Sequence, residues 1–199
     1  MRIFLILMLL LPALCFAGIQ PHYFKIAKSR VASGGGGCAN TLYDSTSETP
    51  TADVDVYDST NMKYNGQLYN EASAHTICSV SVVLSWKAGD VTDRNFYVEI
   101  YDKSGANLGT LLGQSDAVVG SNAWSVSTVE FAFSTPVALS DSTNFAIVLT
   151  VAHAVDSGNY VEFEYAGELI NGKRATWADD KSFVTDASTQ DMLIKVMYQ

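Results

Sequence analysis

Thr76-Ile77-Cys78-Ser79-Val80-Ser81-Val82-Val83-Leu84-Ser85-Trp86 alternates in polarity, with Cys78, Val80, Val82, Leu84 and Trp86 on one face and Ser79, Ser81 and Ser85 on the other. Successive side chains of extended backbone point to opposite sides, so a period of two marks a strand with one buried face. On this reading Cys78 points inward. The same alternation recurs downstream. Phe96, Val98 and Ile100 oppose Tyr97, Glu99 and Tyr101, while Val129, Phe131 and Phe133 oppose Thr128 and Glu130. Phe145, Ile147, Leu149 and Val151 form a further inward row, Val161, Phe163 and Tyr165 oppose Glu162 and Glu164, and a last strand presents Met192, Ile194, Val196 and Tyr198.

No segment sustains the apolar spacing of an amphipathic helix. Strands at short intervals without helices between them imply an all-β fold, an antiparallel two-sheet β-sandwich of jelly-roll type. Asn65-Gly66 and Asn171-Gly172 lie between strand-like runs and predict tight hairpins, because a type I′ turn needs positive φ at two successive residues. The stretch from Asp44 to Asp53, rich in Ser, Thr, Glu and Pro, reads as an exposed loop.

The sandwich is expected to occupy residues 38–199. Before it, Met1-Arg2 gives a positive start, Ile3 to Leu11 is uninterrupted apolar sequence, and Cys15-Phe16-Ala17 precedes Gly18. This resembles a secretory signal peptide over residues 1–17, too short for a spanning helix, with an uncleaved anchor as the alternative. Residues 18–37 form a basic arm and a linker ending in Gly34-Gly35-Gly36-Gly37. Export places the mature protein in the extracellular space, on the cell surface or in a periplasm, with no membrane span. Cleavage removes Cys15 and leaves Cys38 and Cys78 as a pair in an oxidising compartment. A disulfide is the economical reading, and two buried thiols the other.

Acidic residues outnumber basic ones, 21 to 12, for a formal net charge of −9. No stripe of Lys and Arg interleaved with aromatics offsets this, so nucleic acid is not an expected partner. The chain carries no nucleophile elbow, zinc-protease helix pattern or Cys-x-x-Cys, and His22, His75 and His153 are far apart. Gly167 to Lys173 has the spacing of a phosphate-binding loop, but Arg174 stands where Ser or Thr should hold Mg²⁺ and a strand follows where a helix is needed. Glu162 and Glu164 share a strand face about 7 Å apart, a spacing open to glycosidase carboxylates and common on solvated faces. No cofactor is expected beyond a loop-stiffening Ca²⁺, for which Asp90 with Asp93 and Asp179 with Asp180 are the candidate ligands, each pair reading equally as a solvated turn.

Binding is expected at the outward pair Tyr97 and Tyr101 flanking Glu99, with Trp124 and Trp177 as possible additions. Rings on the polar face of a sheet give flat apolar surface with hydrogen-bonding tips, unless a loop or partner covers them.

Several segments resemble the choice-of-anchor R type of β-sandwich domain of secreted, surface-associated and phage-related bacterial proteins. They are Gly66-Gln67, Ile77 to Val82, Tyr97 to Asp102 with Gly105, Phe131 to Leu139, Asn144 to Leu149, Trp177, and Asp191-Met192-Leu193-Ile194. Asn144 departs from the Gly-Thr-like approach usual before its strand. The resemblance runs from about Asn65 onward and implies a jelly-roll-like fold similar to carbohydrate-binding modules, with no catalytic residues to carry over. Two readings follow: a secreted non-enzymatic module that binds a glycan or cell-surface component, or a structural subunit of a filament, surface layer or phage-like appendage that assembles with copies of itself through the N-terminal arm.

Overall fold

The computed structural model describes residues 38–56, 64–70, 73–141, 144–152, 158–167, 172–178, 180–187 and 190–199. The signal-like segment and the arm lie outside them. In chain order the strands are β1 (Asn40–Asp44), β2 (Ala52–Val56), β3 (Tyr64–Asn70), β4 (His75–Ala88), β5 (Asn95–Ser104), β6 (Asn107–Gln114) and β7 (Val118–Val119). There follow β8 (Ser127–Leu139), β9 (Asn144–Val151), β10 (Tyr160–Gly167), β11 (Gly172–Trp177), β12 (Phe183–Ala187), β13 (Gln190–Met192) and β14 (Ile194–Tyr198). The described residues form no helix, and their two antiparallel sheets pack face to face as a β-sandwich.

The first sheet runs β1-β14-β4-β10-β13, with β8 on β4 and β2 on β10; the second runs β12-β11-β3-β9-β5-β6, with β7 on β5. Between them lies a core that includes Phe96, Phe131, Phe145, Phe163, Ile100 and Leu149, contributed by the inward rows read from the sequence. Val80, Val82 and Leu84 of β4 join it as expected. Cys78 does not. Pairing of β4 with both β8 and β14 skips from Ile77 to Ser79, so Cys78 is the extra residue of a β-bulge. The bulge changes the phase of alternation, sending Ile77 into the core and leaving Cys78 half-buried. From there it forms a disulfide with Cys38, the Cα atoms 6.2 Å apart. Closing a loop of 40 residues constrains the unfolded chain and contributes about 4 kcal/mol of stability.

Asn65-Gly66 closes no hairpin, and the strands that flank Asn171-Gly172 do not pair with each other. Asn65-Gly66 sits inside β3, which is paired on both sides by β9 and β11. Glycine is required there because a Cβ would come within 2.1 Å of the Ile147 carbonyl oxygen on β9. Asn171 lies outside the described residues, but Gly172 opens β11 in the second sheet whereas β10 belongs to the first. Both edges of β10 are already taken, by β2 on one side and by β4 and β13 on the other, so a returning hairpin strand has no place to pair.

The C-terminal stretch enters the middle of the first sheet. β4 and β10 pair directly between Leu84–Ala88 and Tyr160–Phe163 and then diverge, β14 pairing with β4 and β13 with β10. At the fork Leu193 receives the Val83 amide on its carbonyl and donates its own amide to Glu164, and its side chain packs with Val83 and Ala166.

A second apolar cluster covers the outer face of the second sheet: Leu68, Tyr101, Leu108, Ala146, Val148, Ala175 and Trp177. The turn between β11 and β12 reaches across to the turn between β5 and β6. Leu108 donates its amide to the Lys181 carbonyl at 3.1 Å, and the Trp177 indole donates to the Ala106 carbonyl at 3.0 Å. The sheet therefore curls outward and encloses its own outer face.

Candidate functional site

This curl decides the fate of the aromatic face read from β5. Tyr101 is 2% exposed, with the Lys181 ammonium 4.6 Å from its ring centroid and Tyr64 edge-on at 6.3 Å. Burial and the hydrogen bond to Glu99 push its phenol well above the ordinary tyrosine range. Glu99 is buried as well, accepting from the Tyr101 hydroxyl and the Gln114 amide, each at 2.7 Å. Trp177 is fully buried, Tyr97 is half-buried, and Trp124 lies on the loop before β8, half-buried and edge-on to Phe96. Tyr101 and Trp177 thus share the enclosed outer cluster, Trp124 stands apart from them, and no open platform forms on β5. Contact between turns more than seventy residues apart covers that face, which alternation within β5 cannot report.

The turn aspartates serve the backbone. Asp90 accepts from the Thr92 amide and hydroxyl and from Asn122, and these bonds hold its carboxyl below the usual range. Asp93 pairs with Arg94 at 3.2 Å. Asp180 is lowered by the hydroxyl and amide of Ser182; Asp179 lies outside the described residues. Among the described residues no three His, Cys, Asp or Glu side chains are placed to hold a metal ion. His75 packs edge-on against Tyr198, while His22 and His153 are outside the described residues, as is much of the phosphate-loop-like stretch.

The outer face of the first sheet offers a different site, an open cleft of about 510 Å³. Its floor carries Asp53 from β2, Ser85 and Lys87 from β4, and Glu162 and Glu164 from β10; Trp86 and the loop Asn122–Ser125, with Trp124, complete the lining. Register creates the row, since Glu164 lies directly across from Asp53 and Glu162 directly across from Ser85. The loop is held to β4 by the Trp86 amide bonded to the Trp124 carbonyl and by the Val126 amide bonded to the Ser85 hydroxyl. Val126, at φ 49°, adopts a left-handed conformation that a β-branched residue rarely occupies. Trp86 pairs with core-facing Val161, so its ring lies on the side of β4 away from Ser85; it is 38% exposed and its indole donates to the Gly89 carbonyl at 2.9 Å.

Charge in this cleft is unevenly matched. Lys87 pairs with Glu162 at 3.0 Å and with Asp53 at 3.7 Å, and the Glu162 contact raises its own titration. Glu162 is almost wholly buried. Its burial pushes its carboxyl up to about 7, the Lys87 hydrogen bond opposing this and the hydrogen bond with Asp53 adding to it. Glu164, also buried, accepts from the Ser85 hydroxyl. Of these residues the Glu162–Glu164 pair and Trp124 are named from the sequence, the latter for a different face. Asp53, Ser85, Trp86 and Lys87 join them through cross-strand register between segments more than thirty residues apart.

Comparison with family models and with curated proteins finds no match for this chain. The chain is a disulfide-bonded, two-sheet antiparallel β-sandwich with an acidic cleft on one outer face.

Proposed function

We propose that this chain is an exported, non-catalytic recognition module that binds a glycan in the outer cleft of the first sheet. The observation that carries this reading is an open cleft on the outer face of the first sheet lined by a row of hydrogen-bonding side chains. Sugar hydroxyls both donate and accept, and Ser85, Lys87, Asn122, Glu162 and Glu164 together supply partners of both kinds. A binding role fits the carboxyl groups better than a hydrolytic one. Glu162 and Glu164 stand on the same side of one strand and are engaged by Lys87 and Ser85, whereas glycosidase carboxylates flank the bond they cleave. The Cys38–Cys78 disulfide fits an oxidising compartment, and the choice-of-anchor resemblance favours the same reading.

A glycan array probed with the secreted protein, beside Glu164→Gln and Tyr97→Ala, tests it. Binding weakened in Glu164→Gln and kept in Tyr97→Ala is the expected result. A folded wild-type protein that binds nothing at micromolar concentration refutes it.

One observation favours the structural-subunit reading. β6 ends the second sheet, carries no charged residue from Asn107 to Gln114, and leaves Leu111 and Leu112 exposed, without the lysines or prolines that usually guard an edge. Sizing of the secreted protein beside Leu111→Lys decides this, since a wild-type monomer at high concentration rules out assembly through β6.

A further inference from the structure

We infer that the Cys38–Cys78 disulfide is a redox clasp on the first strand, holding β1 in the sandwich when oxidised and letting it peel away, as far as Ser45, when reduced. β1 and β4 flank β14 on either side, and the bond joins these two flanks. Cys38 stands just before β1, and Cys78 is the residue of β4 that the pairing with both neighbours skips. A bulge leaves its extra residue out of the ladder, which frees Cys78 to reach past β14. The clasp is independent of any ligand in the cleft.

Apart from this bond β1 is weakly held. It is an edge strand whose one partner strand among the described residues is β14, and that pairing is irregular between Thr41 and Tyr43. Asn40, Thr41 and Asp44 are exposed, while Leu42 and Tyr43 are partly buried against the core, Tyr43 stacked on Tyr69 at 4.8 Å. The Asp44–Lys195 pair at 2.9 Å joins two side chains each more than a third exposed, where an ion pair contributes little. The grip changes at Ser45, which is buried. Its amide donates to the Ile194 carbonyl at 2.9 Å, and its hydroxyl donates to the Met192 carbonyl and accepts from the Ile194 amide, each at 3.0 Å. The edge strand is thus fixed by the disulfide at one end and by Ser45 at the other. Both cysteines are half-buried, within reach of a small dithiol. The dithiol supplies two electrons and two protons, the S–S bond breaks to two thiols, and the dithiol closes to its own disulfide. Opening β1 then costs only one irregular edge pairing and the Tyr43 stack, so this stretch opens ahead of the rest of the sandwich.

Hydrogen exchange read by mass spectrometry on the full secreted protein, oxidised and then held in dithiothreitol, tests this. The reductant meets protein that is already folded, so no variant has to fold. The expected result is that amides of residues 41–44 exchange roughly tenfold or more faster after reduction, while the Ser45 amide and those of β9 keep their protection. Removing the reductant and reoxidising restores slow exchange in β1. Cys38→Ser shows the reduced pattern without any reductant, and decides the matter where the bond resists dithiothreitol. Protection lost from β1 and β9 together means that the bond acts on global stability alone and overturns the clasp. Exchange in β1 that reduction and Cys38→Ser both leave unchanged overturns it as well.

Discussion

Glu162→Gln makes the chemistry of the cleft visible as a pH-dependent stability. The folded protein holds the Glu162 carboxyl near 7, against an ordinary value of 4.5, chiefly because burial disfavours its charge. The folded state therefore binds a proton that the unfolded chain has released throughout that interval, and wild-type stability falls as pH rises from about 4.5 to about 7. Fully expressed, the interval corresponds to ~3 kcal/mol, an upper figure because Asp53 and Lys87 share the titration. Glutamine mimics the protonated form and carries no charge to bury. Urea unfolding followed by circular dichroism at pH 4 and pH 8 reads the difference. At pH 4 the two proteins should be equally stable to within about 0.5 kcal/mol; at pH 8 the variant should be more stable by ~2–3 kcal/mol. A difference independent of pH, or a wild-type protein that gains on the variant as pH rises, refutes the assigned burial of this carboxyl.

Gly66→Ala places a methyl group against the Ile147 carbonyl within paired strands, so a loss of about 3 kcal/mol or failure to fold is expected in thermal unfolding, whereas a loss under 1 kcal/mol contradicts the placement of Gly66. The Tyr69 and Tyr165 hydroxyls are buried with no hydrogen-bond partner among the described residues, and burial pushes the titration of both phenols above the ordinary value. Tyr165→Phe should accordingly be neutral or stabilising by about 1 kcal/mol in urea titration, and a loss of that size in its place reveals a partner for the hydroxyl.

What the sequence discloses and what it withholds divide along the range of the contacts involved. Phe96-Val98-Ile100 and Val161-Phe163-Tyr165 declare their inward faces because each strand buries one side against the facing sheet, and local alternation records that burial. Cys78 misleads because a bulge inserts one residue without disturbing composition, although Ile77 and Val80, both apolar and three positions apart, already break strict alternation. Tyr101 and Trp177 mislead for a different reason. Their covering arises from a curled sheet whose distant turns meet, and an outward aromatic looks the same in sequence whether solvent or Lys181 lies over it. Asn65-Gly66 has hairpin chemistry, but its glycine answers to crowding by β9. The acidic cleft is half-visible, Glu162 and Glu164 showing together while Asp53 and Lys87 arrive through register alone.

The fork between β4 and β10 constrains how this protein comes into being. Residues 190–198 separate two strands that precede them in the chain, so β4 and β10 cannot complete their pairing until this segment is in place. The central layer therefore closes only when this wedge docks, and a chain lacking it keeps two unpaired strand edges in the middle of a sheet.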